Sequence, residues 1–296
     1  MITVPREDAT LGIAVEDVDP LRVPPAELMA LKQLVYAHRI VVLRGRRLSS
    51  AEFVEFGRRM GEVETYYQPM YHHPEHKEIV VSSQVKTGGE PVGVPETGTS
   101  WHHDCSFMRR PFGLTLLHPQ VVPEKNRGIC FIDMAKAHRD LPDALTAEIR
   151  GTRSLHSARR SFTTRPTDVH RPLSEVMAEV ERETLDVAHP TVFTHPVTGE
   201  GVLYVSEAVT DRIEKPDGSP AREGLLAELL AACGQADTTF EHENIHLQTF
   251  EKGDLLIWDN RALVHRAPHT TTYEPAVSHR VAVHDEYEFY PRIDRS

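Results

Sequence analysis

The chain has 296 residues, 44 of them acidic and 33 basic, for a formal net charge of -11, and 40% are hydrophobic. The acidic balance disfavours nucleic acid and anionic membrane surfaces as partners, while the apolar content suffices for one large core. Cys105, Cys130 and Cys233 are isolated, with no CxxC spacing. That argues against a disulfide scaffold or a thiolate zinc site and fits a reducing, cytoplasmic location.

Residues 1–8 lack a basic start followed by an apolar stretch, so no signal peptide is expected. No apolar run approaches the ~20 residues of a membrane span. Residues 11–15 suggest an opening strand. Pro24 and Pro25 start a helix to about His38, since proline is tolerated in the first helical turn. Residues 39–43 form a buried strand, and Ser49, with Glu52 three positions on, caps a second helix to about Met60. Residues 78–83 are a further strand, and 86–99, rich in Gly and Pro, form a loop. Strands at 114–117 and 129–132 precede a helical stretch from Met134 to Arg150, interrupted near Pro142. Residues 155–189 are polar, basic at first and punctuated by Pro166 and Pro172, which predicts a lid insertion at about 155–190. From Thr191 short strands dominate, with helices expected near 207–212 and 224–232. Together these elements predict a mainly β fold with α, a distorted double-stranded β-helix (jelly roll) with flanking helices, as a single domain over 1–296.

The chemistry concentrates in two segments: Trp101-His102-His103-Asp104, and Trp258 to His265 far downstream. On a strand, residues i and i+2 point to the same side, so His102 and Asp104 can hold one ion together. His265, from a distant strand, completes one face of an octahedron, and such a 2-His-1-carboxylate triangle marks non-haem iron oxygenases. The chain has 18 histidines, so a His-x-Asp pair alone also arises by chance. Asp254 to Asn260, a turn, a buried strand and a tight turn, supplies a scaffold for His265. Arg280, fifteen residues after His265 in a strand-like run, can return beside the metal and grip a carboxylate bidentately.

His-x-Asp after Trp, the Trp-Asp-Asn-Arg-x-x-x-His segment and the His-Arg pair at 279–280 resemble the TauD/TfdA-like 2-oxoglutarate-dependent dioxygenases. Residues 41–45, 195–199 and 203–205 extend the likeness over nearly the whole chain. The resemblance implies Fe(II) on His102, Asp104 and His265, 2-oxoglutarate as cosubstrate with Arg280 on its distal carboxylate, Arg127 assisting, and O2 as oxidant.

A narrower resemblance is to the isonitrile-forming branch, which oxidatively decarboxylates N-carboxymethyl-3-amino fatty acids. It rests on residues 66–76, 80–83, 123–128, 165–169 and 265–269, and implies Tyr66, Tyr67, Tyr71, Arg165 and His269 as substrate-binding residues. Two positions depart from it. Thr163 stands where members carry a Lys two residues before the matched Arg, and Ile129 where many relatives carry a Thr whose hydroxyl helps hold the 2-oxoglutarate carboxylate. Hydroxylation or desaturation of another amino or carboxylic acid therefore stays open, as does a non-catalytic metal-binding jelly roll. The implied partner is a small acidic amino substrate, free or on a carrier protein, with no nucleic acid or membrane partner; a homo-oligomer is left open.

Overall fold

The computed structural model describes residues 2–4, 11–87, 90–95, 97–125, 127–268 and 274–291. Its main sheet has eight strands. In spatial order they are Ile2–Val4, Ile13–Glu16, Ile40–Leu43, Leu255–Asp259, Leu114–Val121, Val277–His284 and Glu62–Val63, with Val80–Ser83 also paired to Val277–His284. A second sheet, Ile245–Gln248, Ile129–Asp133 and Leu263–Arg266, faces it. The strand order is far from chain order, as expected of a jelly roll, and the mainly β architecture with flanking helices matches the sequence expectation.

Alternation along these strands sorts their side chains between two cores. Val41, Leu43, Leu114, Leu116, Leu255, Ile257, Val281 and Val283 pack outward beneath the helices Pro25–His38 and Ser50–Met60. Ile40, Val42, Leu117, Leu256 and Trp258 point inward, where Ile129, Phe131, Leu263 and Phe250 meet them. Ser49 accepts from the Glu52 amide while Glu52 reaches back to the Ser49 amide, the capping box expected from the sequence. A third cluster, around Tyr204, Phe193 and Leu229, supports the far end.

Two expectations change. Residues 207–212 are a turn followed by the strand Thr210–Glu214, not a helix, because Arg153–His156 supplies antiparallel backbone partners there. The 155–190 insertion is also more ordered than a loop. Its ends, Arg153–His156 and Val187–Pro190, pair with each other and enclose the helix Leu173–Glu183. The predicted interruption near Pro142 separates helices Met134–Arg139 and Asp143–Glu148. No helix among the described residues is long and apolar enough to cross a membrane.

Candidate active site

His102 and His265 exchange backbone hydrogen bonds at 3.1 and 2.9 Å as a lone antiparallel bridge. This bridge brings a loop residue and a strand residue 163 positions apart into ring contact, with centroids 4.2 Å apart. Asp104 lies just past the bridge in a turn, not on a strand, and Cys105 after it takes a left-handed φ of 56°. The turn still delivers the carboxylate: Asp104 Oδ1 is 3.9 Å from Nε2 of each histidine. One ligand atom from each of the three residues lies within 4.8 Å of the others, the single such group among the described residues.

The donors suit iron(II). Burial lowers the proton affinity of both imidazoles, outweighing the pull of Asp104, so neutral nitrogen lone pairs are available. Burial alone would raise the Asp104 carboxyl, but Arg280, His265, His102 and the Thr115 hydroxyl bring it down to about 2. Nδ1 of His102 lies 2.8 Å from the Ser100 carbonyl oxygen; with the proton there, Nε2 is left as the free donor. His103, between the ligands, turns away and packs on Tyr204 with centroids 4.4 Å apart.

A cavity of about 370 Å³ opens beside the triad, its walls including His102, His265, Trp258, Leu117, Ile129, Phe250 and Arg280. Arg280 stands on the inner face of Val277–His284 and pairs with Asp104. It is the one Arg or Lys among the described lining residues. Ile129 contributes an apolar wall where a threonine would have offered a hydroxyl. Arg127, expected beside the cosubstrate, lies on the surface with Glu251 at 2.8 Å and does not line the cavity.

Tyr66, Tyr67 and Tyr71 form one cluster, with Tyr66 centroids 4.7 Å from Tyr67 and 5.2 Å from Tyr71. Tyr66 packs on the apolar group of Cys105, Phe107 and Phe112, on the side of Arg280. Burial pushes the Tyr67 hydroxyl up to about 12. The Tyr71 hydroxyl meets Thr163 Oγ1 at 3.3 Å, so the tyrosine segment touches the insertion at the position where the branch carries lysine. Arg165, two residues on, is held by Asp168 at 2.9 Å and Glu179 at 2.6 Å, with Glu183 at 3.6 Å. Its guanidinium is thus already matched by carboxylates. His269 lies outside the described residues.

Sequence reasoning passed over Thr115, whose Oγ1 donates to Asp104 Oδ2 at 2.7 Å. The available signal was a hydroxyl at an inward position among the leucines that open the strand. Asn260 figures in the sequence only as a turn residue and as part of the Trp-Asp-Asn-Arg motif. Asn260 accepts from the Asp104 amide at 2.8 Å and donates to the carbonyls of Asp104 and Phe112 at 3.0 and 2.9 Å.

Comparison with known proteins agrees with this geometry. Residues 5–282 match the family model described as taurine catabolism dioxygenase TauD, TfdA family. Pentalenolactone F synthase of Streptomyces arenae is 31% identical over 233 residues, 76% of each chain. The alpha-ketoglutarate-dependent 2,4-dichlorophenoxyacetate dioxygenase of Cupriavidus pinatubonensis is 30% identical over 269 residues, 85% of this chain and 87% of the relative. A taurine dioxygenase structure from Burkholderia xenovorans superposes with a TM-score of 0.72 at 25% identity, covering 97% of this chain and 90% of that one. The structure of AAD-2 with Mn(II) and N-oxalylglycine shares the fold, with a TM-score of 0.74 at 21% identity over 96% of this chain and 99% of that one. With its His-Asp-His triad beside a jelly-roll cavity, the chain belongs to the TauD/TfdA family of Fe(II)- and 2-oxoglutarate-dependent dioxygenases.

Proposed function

We propose that this dioxygenase takes an N-carboxymethyl-3-amino (fatty) acid to an isonitrile, with loss of the N-carboxymethyl carboxylate as CO2. The observation that carries this reading is the Tyr66-Tyr67-Tyr71 cluster, outside the cavity lining but close enough for Tyr66 and Tyr71 to interact electrostatically with Arg280, and joined through Tyr71 to Thr163 of the insertion. Iron, 2-oxoglutarate and O2 supply the oxidising power, and the protein supplies position and exclusion of water. His102, Asp104 and His265 would hold the metal, and Arg280 would pair with the distal carboxylate of 2-oxoglutarate. The tyrosine hydroxyls, Arg165 and His269 would meet the substrate's acidic ends and amine. For Arg165 this requires trading Asp168 or Glu179 for the substrate carboxylate. Taking R–NH–CH2–COOH to R–NC and CO2 removes one hydrogen from the amine, two from the methylene and the carboxyl proton, a four-electron oxidation that consumes two molecules each of O2 and 2-oxoglutarate.

A second reading is hydroxylation or desaturation of an apolar-bodied carboxylic acid. The cavity walls formed by Val80, Leu117, Val121, Ile129, Phe250 and Val277 favour it, as does the likeness to a dioxygenase of 2,4-dichlorophenoxyacetate. One assay separates the two. N-carboxymethyl-3-amino acids of graded chain length, free and carrier-bound, are incubated with Fe(II), 2-oxoglutarate and O2, and products are weighed by mass spectrometry. An isonitrile with two succinates formed per product supports the first reading. A product one oxygen heavier or two hydrogens lighter, with one succinate, supports the second and overturns the first.

A further inference from the structure

We propose that Thr115 and Asn260 are positioning residues that make Asp104 a one-oxygen ligand of defined orientation. The inference rests on the reading of His102, Asp104 and His265 as the metal-holding triad.

The two carboxylate oxygens of Asp104 have different surroundings. Oδ1 faces Nε2 of both His102 and His265 at 3.9 Å, and Arg280 donates to the same oxygen. Oδ2 points the other way and accepts the Thr115 hydroxyl at 2.7 Å. Thr115 is fully buried at the centre of the main sheet, between Trp258 on one neighbouring strand and Ala282 on the other. Its position is set by two hydrogen-bonded neighbours, so its hydroxyl is a fixed donor and not a mobile one. A short hydrogen bond from a neutral hydroxyl to a carboxylate is charge-assisted and directional. It holds Oδ2 away from the ion and leaves Oδ1 as the ligand.

Asn260 fixes the same residue through its backbone. Its side-chain amide accepts from the Asp104 N–H and donates to the Asp104 carbonyl, so the peptide groups on both sides of Cα are held. The second donor contact, to the Phe112 carbonyl, anchors that clamp to the segment entering the Leu114–Val121 strand. Asn260 itself is fully buried in the tight turn before the strand that carries His265. Thus one side chain ties the turn of the first two ligands to the strand of the third. This explains how Asp104 keeps a fixed direction although it lies in a turn and precedes a residue with left-handed φ.

The consequence is a coordination count. With Oδ2 withheld, the triad takes three positions of an octahedron and leaves three for cosubstrate and oxygen. If Oδ2 were released, the carboxylate would be free to bind through both oxygens and take a fourth.

The test uses the full chain titrated with Co(II) under anaerobic conditions, read by its visible absorption and by metal affinity, with thermal unfolding as the check on folding. Thr115→Val keeps the shape and removes the donor. We expect its Co(II) affinity to fall ~10–100-fold, the size usual for lost outer-shell partners, and its absorption band to change shape. Thr115→Ser restores the hydroxyl and should return both readouts to those of the wild type. Asn260→Asp, which loses the donor half of the clamp, should alter the band in a protein that still unfolds cooperatively. A Thr115→Val protein with wild-type affinity and band overturns the proposal, and so does a Thr115→Ser protein as impaired as Thr115→Val. Failure of the wild type itself to bind Co(II) would instead overturn the triad.

Discussion

Arg280 donates through Nη1 to Oδ1 of Asp104, the same oxygen that both ligand histidines face. The two residues are 176 positions apart, and the inward alternation of the Val277–His284 strand brings them together. Removing one member of a partly buried charge pair typically costs ~2–5 kcal/mol, because the other charge is stranded. In the cosubstrate complex proposed above Arg280 would form such a pair with the distal carboxylate of 2-oxoglutarate, so Arg280→Ala is expected to raise the apparent 2-oxoglutarate constant at least ~tenfold while iron stoichiometry is kept. Succinate formation against 2-oxoglutarate concentration measures this, and an unchanged constant would move the anchor elsewhere.

His102→Ala, Asp104→Ala and His265→Ala should each abolish iron binding at micromolar metal. Every one of the three supplies an atom to a single group within 4.8 Å, so each variant leaves two of the three protein ligands. Metal analysis after desalting checks it. Full stoichiometry and turnover in any of the three would show that the triad is misassigned.

Thr163→Lys should tighten the N-carboxymethyl-amino substrate, and Tyr71→Phe should weaken it, neither one changing the 2-oxoglutarate constant. The reason is the 3.3 Å contact between the Tyr71 hydroxyl and Thr163, which puts the new ammonium next to the tyrosine cluster. A neutral hydrogen bond is worth roughly 0.5–1.5 kcal/mol, so Tyr71→Phe corresponds to a loss of about two- to tenfold. Equal shifts in both constants would mean that the cluster acts through the fold and not on the substrate.

Acid should destabilise the metal-free protein well before its carboxylates protonate. Burial holds His189 at about 4 and His279 at about 4, and for His279 the rings of His73, His118 and His76 add to it. In the unfolded chain both titrate near ~6.5. Above that pH both states are neutral. Between about 6.5 and 4 the unfolded state takes up protons that the folded state refuses, so stability falls as pH drops. The melting temperature should decline steadily across this window, and His279→Gln should make the decline shallower. An identical slope in wild type and variant would remove His279 from the account.

Much of this site is legible in the chain. Ligand types together with the family-like motifs point to His102, Asp104 and His265, although the strand that the i, i+2 spacing assumed is a turn, and the alternation of the final strand puts Arg280 inward. These are local properties: residue chemistry, period-2 patterning and turn residues act over a few positions. The capping box at Ser49 and the break at Pro142 are legible for the same reason. Tertiary structure decides the rest, because the partners lie far away in sequence. A helix expected at 207–212 becomes a strand once Arg153–His156 offers it backbone hydrogen bonds, and cross-strand pairing outweighs a weak local preference. Arg127 and Arg165 have the right chemistry for carboxylates, but Glu251 for one, and Asp168 and Glu179 for the other, occupy their guanidinium groups. Composition does not show which acid a given arginine will meet. Thr115, eleven residues from Asp104, and Asn260, 156 residues away, reach hydrogen-bond distance of it only in the folded chain. Such contacts depend on orientation to a few tenths of an ångström, which is set by packing across strands and not by the order of residues along one.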